Sequence, residues 1–203
     1  MEKRFLNELL RSDQTVFSFK ELLLQFRTDD VKSLASKLSY YVKKGELHHI
    51  RRGLYSKNAS YNRFELATKI LTPSYISFET VLSAAGIIFQ YSSQLSIASY
   101  QTRDITCDGR IYSFRTIKPT ILTNTLGIEI LATYSIASPE RAFLDIVYRH
   151  KQYHFDNLEP LDWHKVYAIL PIYGNNKSME KRVTMYHDSF KTNLHKLVKT
   201  QPS

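Results

Sequence analysis

Apolar residues recur at helical spacing from the start of the chain. Between Glu2 and Arg11, Phe5, Leu6, Leu9 and Leu10 share one stripe, while Lys3, Arg4, Asn7 and Glu8 lie off it, which predicts a short helix ended by Ser12-Asp13-Gln14. Val16 to Phe19 is a brief β-prone run. Ser18 can then cap a second helix whose apolar residues are Leu22, Leu23, Leu24 and Phe26. Thr28 or Asp29 suits the N-cap of a third helix, which should run to about Lys44 and end at Gly45, a residue that takes the left-handed position without a Cβ clash. At about 100° per residue, Val31, Leu34, Ala35, Leu38, Tyr41 and Val42 share one side of this helix. Ser33, Ser36, Lys37, Tyr40, Lys43 and Lys44 occupy the other, a polar, basic face nearly free of acids.

Beyond Gly45, Leu47 to Arg52 reads as a strand, Gly53 permits a turn or bulge, and Leu54 to Lys57 reads as a second strand. Three helices followed by a basic hairpin is the order of a winged helix-turn-helix. In such a domain the third helix enters the major groove and wing arginines grip the backbone or minor groove. The candidate DNA-binding residues are therefore Ser33, Ser36, Lys37, Tyr40, Lys43, Lys44, His49, Arg51, Arg52 and Tyr55. The same polar face equally suits ordinary solvation, and a winged helix can also serve as a protein-docking module.

The polar joint Ser56 to Ser60 separates a winged helix over residues 1–58 from a second unit over 61–203. In that second unit, Tyr61 to Leu71 reads as a helix halted by Thr72-Pro73, and Tyr75 to Phe78 begins extended. Glu79 to Ala85 forms a helix ended by Gly86. From Gln94 to Tyr134 the period changes to two, with turns at Cys107-Asp108-Gly109, Lys118-Pro119 and Thr125-Leu126-Gly127, which predicts a small, mainly antiparallel sheet. Ser138-Pro139-Glu140 then opens a helix, with Ser as N-cap, Pro at the first position and an acid near the positive end of the dipole. Asp162 to Leu170 is a further helix closed by Pro171. A last helix, about Ser178 to Lys199, carries Val183, Tyr186, Phe190, Leu194 and Leu197 on one stripe. The fold class is α+β: a winged helix-turn-helix followed by an α+β domain with a small antiparallel sheet and flanking helices.

Charge sharpens this picture. The chain of 203 residues carries a net charge of +9, from 28 Lys and Arg against 19 Asp and Glu. Residues 1–60 hold 12 basic and 7 acidic side chains, residues 61–175 hold 10 of each, and residues 176–203 hold 6 and 2. The basic ends favour polyanionic partners, since each phosphate neutralised releases condensed counterions. Cys107 is the single cysteine, which rules out an intramolecular disulfide and fits a reducing compartment. No run of about 18 apolar residues and no uncharged N-terminal segment occurs, so a soluble cytoplasmic protein with no membrane partner is expected.

Catalytic patterns are sparse. The six glycines are too scattered for a phosphate-binding loop, and no Gly-x-Ser-x-Gly elbow is present. His150 and His154 would suit a metal only if one helix carried both, and the Glu that follows the first His in a zincin is missing. Glu140 and Asp145, five apart, do not share a helix face for acid–base work. Glu140 fits better as a helix-start acid, and Arg141 with Asp145 as an i,i+4 ion pair. Cys107 beside Asp108 lacks a positive activator. No enzyme activity and no cofactor are expected.

Three stretches resemble the AbiEi family of antitoxins, also described as predicted transcriptional regulators of viral-defence systems. The first runs from Leu38 to Leu47 with Ile50-Arg51-Arg52-Gly53-Leu54-Tyr55. The second is Pro73 to Leu82 with Gly86, and the third, the most specific, is Ile136 to Asp145. The likeness spans about residues 15 to 150. It implies an autorepressor whose N-terminal domain binds repeats in its own operator on double-stranded DNA. Its C-terminal domain would counteract a nucleotidyltransferase-like toxin encoded beside it, with no stable complex required. A module that neutralises a partner enzyme directly, and a plain transcriptional regulator without a toxin, are the alternatives.

Overall fold

In a computed structural model, which describes the backbone of residues 2–90 and 92–199 and the side chains of residues 4–90 and 92–192, the chain begins with α1 (Glu2–Arg11), β1 (Val16–Ser18), α2 (Phe19–Gln25) and α3 (Val31–Lys43). The strands β2 (His48–Arg51) and β3 (Leu54–Ser56) follow and join β1 in an antiparallel sheet of order β1-β3-β2. Local chemistry sets these boundaries. The Ser18 backbone N–H donates to Glu21 Oε2 at 3.0 Å and Glu21 N–H donates to Ser18 Oγ at 3.1 Å, a reciprocal capping box. Asp30, one residue beyond the expected caps, accepts the Ser33 N–H at 2.9 Å and starts α3, while Thr28 accepts the N–H of Asp30 itself. Gly45 takes φ +72 just past the helix, as its position requires.

Phe5, Leu9, Phe17, Leu22, Leu34, Leu38, Tyr41 and Leu47 form the core of this N-terminal unit. On α3 only the Leu34, Leu38 and Tyr41 line is buried. Val31 and Ala35, expected on the same side, are exposed, because the cover supplied by α1 and the short α2 is narrower than the apolar stripe.

The remainder is built from α4 (Arg63–Ile70), β4 (Ser74–Ile76), α5 (Glu79–Ala84), β5 (Leu95–Ser99), β6 (Arg103–Cys107), β7 (Arg110–Thr116), α6 (Pro119–Leu122), β8 (Ile128–Ile130) and β9 (Ser135–Ala137). The helices α7 (Pro139–Arg149), α8 (Trp163–Ile169) and α9 (Lys177–Lys199) complete it. The sheet is larger and less regular than its sequence predicts: six strands in the order β6-β7-β5-β4-β9-β8, with β5–β7 and β4–β9 parallel and the other pairings antiparallel. It reaches outside the period-two region to recruit β4 and β9, which pair with each other across a long stretch of sequence at Ile76 and Ile136. Lys118-Pro119 is not a turn but the start of α6, where Pro at the first position loses no hydrogen bond. Helix α8 ends at Ile169, just before Pro171 as expected, and the chain continues through a 3-10 turn at Leu170–Tyr173. Along α9, Val183 is buried and Tyr186 and Phe190 pack on the core, while Leu194 and Leu197 lie outside the described side chains.

Helix α7 runs through the middle of the core, with every side chain from Glu140 to Val147 buried. Ser138 caps it and Pro139 occupies its first position. Inside it, Arg141 and Asp145, both fully buried, pair at 3.4 Å. Asp145 Oδ2 accepts the hydroxyls of Ser77 at 2.7 Å and Tyr75 at 3.0 Å, and its Oδ1 accepts that of Tyr173 at 2.7 Å. Arg141 donates to Tyr75 Oη at 2.9 Å and to the carbonyls of Ile121 and Leu126 at 2.7 and 2.8 Å. Burial pushes the Asp145 carboxyl upward against the guanidinium and hydroxyls that favour its charged form. Gly127 sits so close that a Cβ there would lie 3.0 Å from Arg141 Cβ and 2.7 Å from Ile169 Cδ1.

A second set of buried contacts joins the two units. Val16, Ile50 and Leu54 belong to the larger core, on the face of the small sheet opposite Phe17 and Tyr55. Fully buried Glu65 accepts the Thr15 N–H at 2.8 Å and its hydroxyl at 2.6 Å. Lys69 donates to the Val16 carbonyl at 2.7 Å and, at the surface, to Glu21 at 2.9 Å. Within the first unit Lys57 donates to the Ser12 carbonyl, and within the second the Tyr61 hydroxyl donates to Asp108. Burial works against ionised Glu21, but the Ser18 N–H and Lys69 outweigh it and hold that carboxyl below its usual range.

Removing one partner of a buried ion pair strands the other, so Asp145→Ala is expected to cost about 3–5 kcal/mol, read from the urea unfolding midpoint. Because the folded-state pKa of Glu21 is depressed, its stabilising charge acts above the ordinary glutamate range and is lost as pH falls through the folded value. Glu21→Gln should therefore be less stable than the wild type near neutrality, with the gap closing on acidification. A gap independent of pH would show that the charge is not its source.

Candidate nucleic-acid interface

Helix α3 contains no acidic residue and turns its polar side away from both cores. Ser36, Lys37, Tyr40, Lys43 and Lys44 are exposed and Ser33 is half-buried. Buried Tyr41 stacks on Phe5 at 5.9 Å and meets the edge of Tyr40 at 5.3 Å, while Lys44 Nζ stands 4.6 Å above the Tyr40 ring. An aromatic ladder from the core thus sets the orientation of Tyr40. Lys32, exposed one turn before Ser36, extends the basic face. It is absent from the sequence candidates, although the i,i+4 spacing of Lys32, Ser36 and Tyr40 carries the signal.

The hairpin divides its residues between two faces. His49 is exposed and leans on Tyr55 at 5.2 Å, on the side of the three helices. Burial pushes the Tyr55 phenol up. Between His49 and Arg51 the register slips by one residue, a bulge that sends Ile50 and Arg51 toward the second unit. Arg51 Nη1 is buried there without a hydrogen bond, and its charge is felt by the Cys107 thiol. Arg52 is exposed in the two-residue tip Arg52-Gly53, where Gly53 has φ +77 and its carbonyl accepts the N–H of Phe19 at 2.8 Å. The structure therefore gathers the α3 candidates on one surface, sets His49 and Tyr55 on the helix side of the sheet, leaves Arg52 at the tip and turns Arg51 into the joint.

Helix α7 ends at Arg149 with His150 as its C-cap, so His150 and His154 share no helix face. His154 lies on the surface at 3.5 Å from Asp156. Among the described residues no group of three His, Cys, Asp or Glu side chains converges as a metal site. Glu140 is buried and accepts the Asp162 N–H at 3.3 Å, tying α8 to α7. Cys107 is buried at the end of β6, where its Sγ lies 3.9 Å from the Ile50 carbonyl.

No protein-family model matches the chain, and no curated protein matches it. The fold is mixed α+β with two sheets and flanking helices. Among the described residues no helix is long and apolar enough to cross a membrane.

Burial, followed by the charge of Asp108, pushes the Cys107 thiol up. The native protein is therefore expected to resist 5,5′-dithiobis(2-nitrobenzoate) at neutral pH and to release one equivalent of thionitrobenzoate on unfolding. Rapid native labelling would show that the joint opens.

Proposed function

We propose that the N-terminal unit is a winged helix-turn-helix that docks α3 in the major groove of double-stranded DNA. We further propose that the chain is a DNA-binding antitoxin and autorepressor whose second unit counteracts a nucleotidyltransferase-like toxin. The observation that carries the DNA reading is the acid-free outer face of α3, with Lys32, Lys37, Tyr40, Lys43 and Lys44 together on a surface that neither core covers. The element order α1-β1-α2-α3-β2-β3 and the sheet order β1-β3-β2 support it, being those of a winged helix. So does the way the units join: the second unit packs on the far side of the small sheet, through Val16, Ile50 and Leu54, and leaves α3 open. Lysines there neutralise phosphates and release counterions, while Tyr40 and the serines are placed to read base edges.

Support for the antitoxin reading comes from the resemblance to the AbiEi family, two of whose stretches meet at one place. Tyr75 and Ser77 from the second stretch bind Asp145, and Tyr75 also binds Arg141, both from the third. Those residue types at those positions thereby acquire a shared physical role in a buried network.

Gel-shift titration of the chain's own upstream region at several salt concentrations tests the DNA reading. Binding should weaken steeply with salt, and Lys37→Gln with Lys43→Gln should lower the log–log slope by about 0.9 for each phosphate left without its lysine. Arg52→Ala should weaken binding more than Arg51→Ala, whose guanidinium is turned into the joint. No shift, or a shift indifferent to salt, overturns the reading. The toxin reading is tested separately by co-expressing the adjacent open reading frame and measuring growth with and without this chain. An equal growth defect in both cultures rejects it.

A further inference from the structure

A cavity of about 620 Å³ opens between α1, the end of α2 and the first half of α3. Phe5, Phe26 and Leu34 line it, with the rings of Phe5 and Phe26 4.5 Å apart. Arg4, Arg27 and Lys37 also line it. Arg4 is held by Glu8 at 3.0 Å, which leaves Arg27 and Lys37, neither of which pairs with a carboxylate among the described residues. Arg27 has φ +46, a left-handed backbone that residues with a Cβ adopt at a cost. Gln25, Thr28, Ser33 and the Glu8 carboxylate, which is taken up by Arg4, complete the lining, and the volume lies within the range of about 300–1,000 Å³ usual for small-molecule sites.

The two halves of this surface ask for different things. Half-buried Phe26 offers ring surface, and Arg27 and Lys37 offer charges that no carboxylate among the described residues takes up, so one ligand that is both flat and anionic meets both. We propose that this cavity binds a small anion with an aromatic or similarly flat apolar body, its charge between Arg27 and Lys37 and its ring over Phe26. Lys37 belongs both to the cavity and to the outer face of α3. A bound anion neutralises that lysine and weakens DNA binding, so the site acts as an effector pocket. This coupling rests on the DNA reading; the ligand site itself does not.

The test titrates the full chain with 8-anilinonaphthalene-1-sulfonate and follows fluorescence. One site per chain is expected, weakened about tenfold in Arg27→Gly and in Lys37→Gln, as removal of a charge-assisted hydrogen bond implies. Arg11→Gln, exposed and outside the cavity lining, should match the wild type. Arg27→Gly also relaxes the left-handed backbone, and a urea midpoint no lower than that of the wild type separates its weaker binding from unfolding. Dye binding unaltered by Arg27→Gly and Lys37→Gln overturns the site. Displacement of the dye by inorganic phosphate as readily as by 1-naphthoate overturns the aromatic specificity. In gel shifts, weakening of duplex binding by the dye should need about tenfold more dye in Arg27→Gly than in the wild type; no effect on the wild type overturns the coupling. A chain that takes up dye through Arg27 yet binds no duplex would defeat the DNA reading and leave the ligand site standing.

Discussion

The ion pair of Arg141 and Asp145, fully enclosed inside α7, is the constraint on which the second unit depends. Two charges without water are tolerable only when their remaining hydrogen-bonding capacity is met, and here it is met from distant parts of the chain. Tyr75 and Ser77 arrive from β4 and the residue beyond it, Tyr173 from the 3-10 turn after α8, and the carbonyls of Ile121 and Leu126 from α6 and the loop that follows it. Each partner must be in place for the others to be stable. The network therefore specifies one arrangement of strand, helix and loop more strictly than apolar packing alone would.

That arrangement is passed on to the N-terminal unit through β1 and β3. Their outward face, Val16 and Leu54 with Ile50 from the bulge, is buried by the larger unit, and Glu65 and Lys69 of α4 hold the Thr15 to Glu21 stretch by hydrogen bonds and an ion pair. The opposite face, Phe17 and Tyr55, supports the three helices. A strand whose two faces are both buried cannot slide without exposing one of them. Helix α3 is thus fixed relative to the whole molecule with its basic side outward, a geometry suited to presenting lysines to a rigid duplex.

The same packing explains why residues of one type separate into different roles. Arg51 and Arg52 are neighbours, yet a single-residue bulge commits the first to the joint and leaves the second on the tip. Lys69 has only 8% of its side chain accessible and binds one backbone and two carboxylate partners, whereas Lys37 and Lys43 remain on the surface. Charge alone does not distinguish these cases; burial of the surrounding backbone does.

Much of the local structure was legible in the residues themselves. The cap at Ser18, the Ser138-Pro139 helix start, the left-handed glycine after α3, the glycine turn in the hairpin and the Arg141–Asp145 spacing all follow from interactions within a few residues. The basic face of α3 was readable for the same reason, since helical periodicity is a local property. What only the tertiary structure decided lies between distant segments: the parallel pairing of Ile76 with Ile136, the recruitment of Ser77 and Tyr173 to Asp145, the exposure of Val31 and Ala35, and the direction of Arg51. These depend on which surfaces meet once the chain has closed on itself. No short window of sequence contains both sides of such a contact.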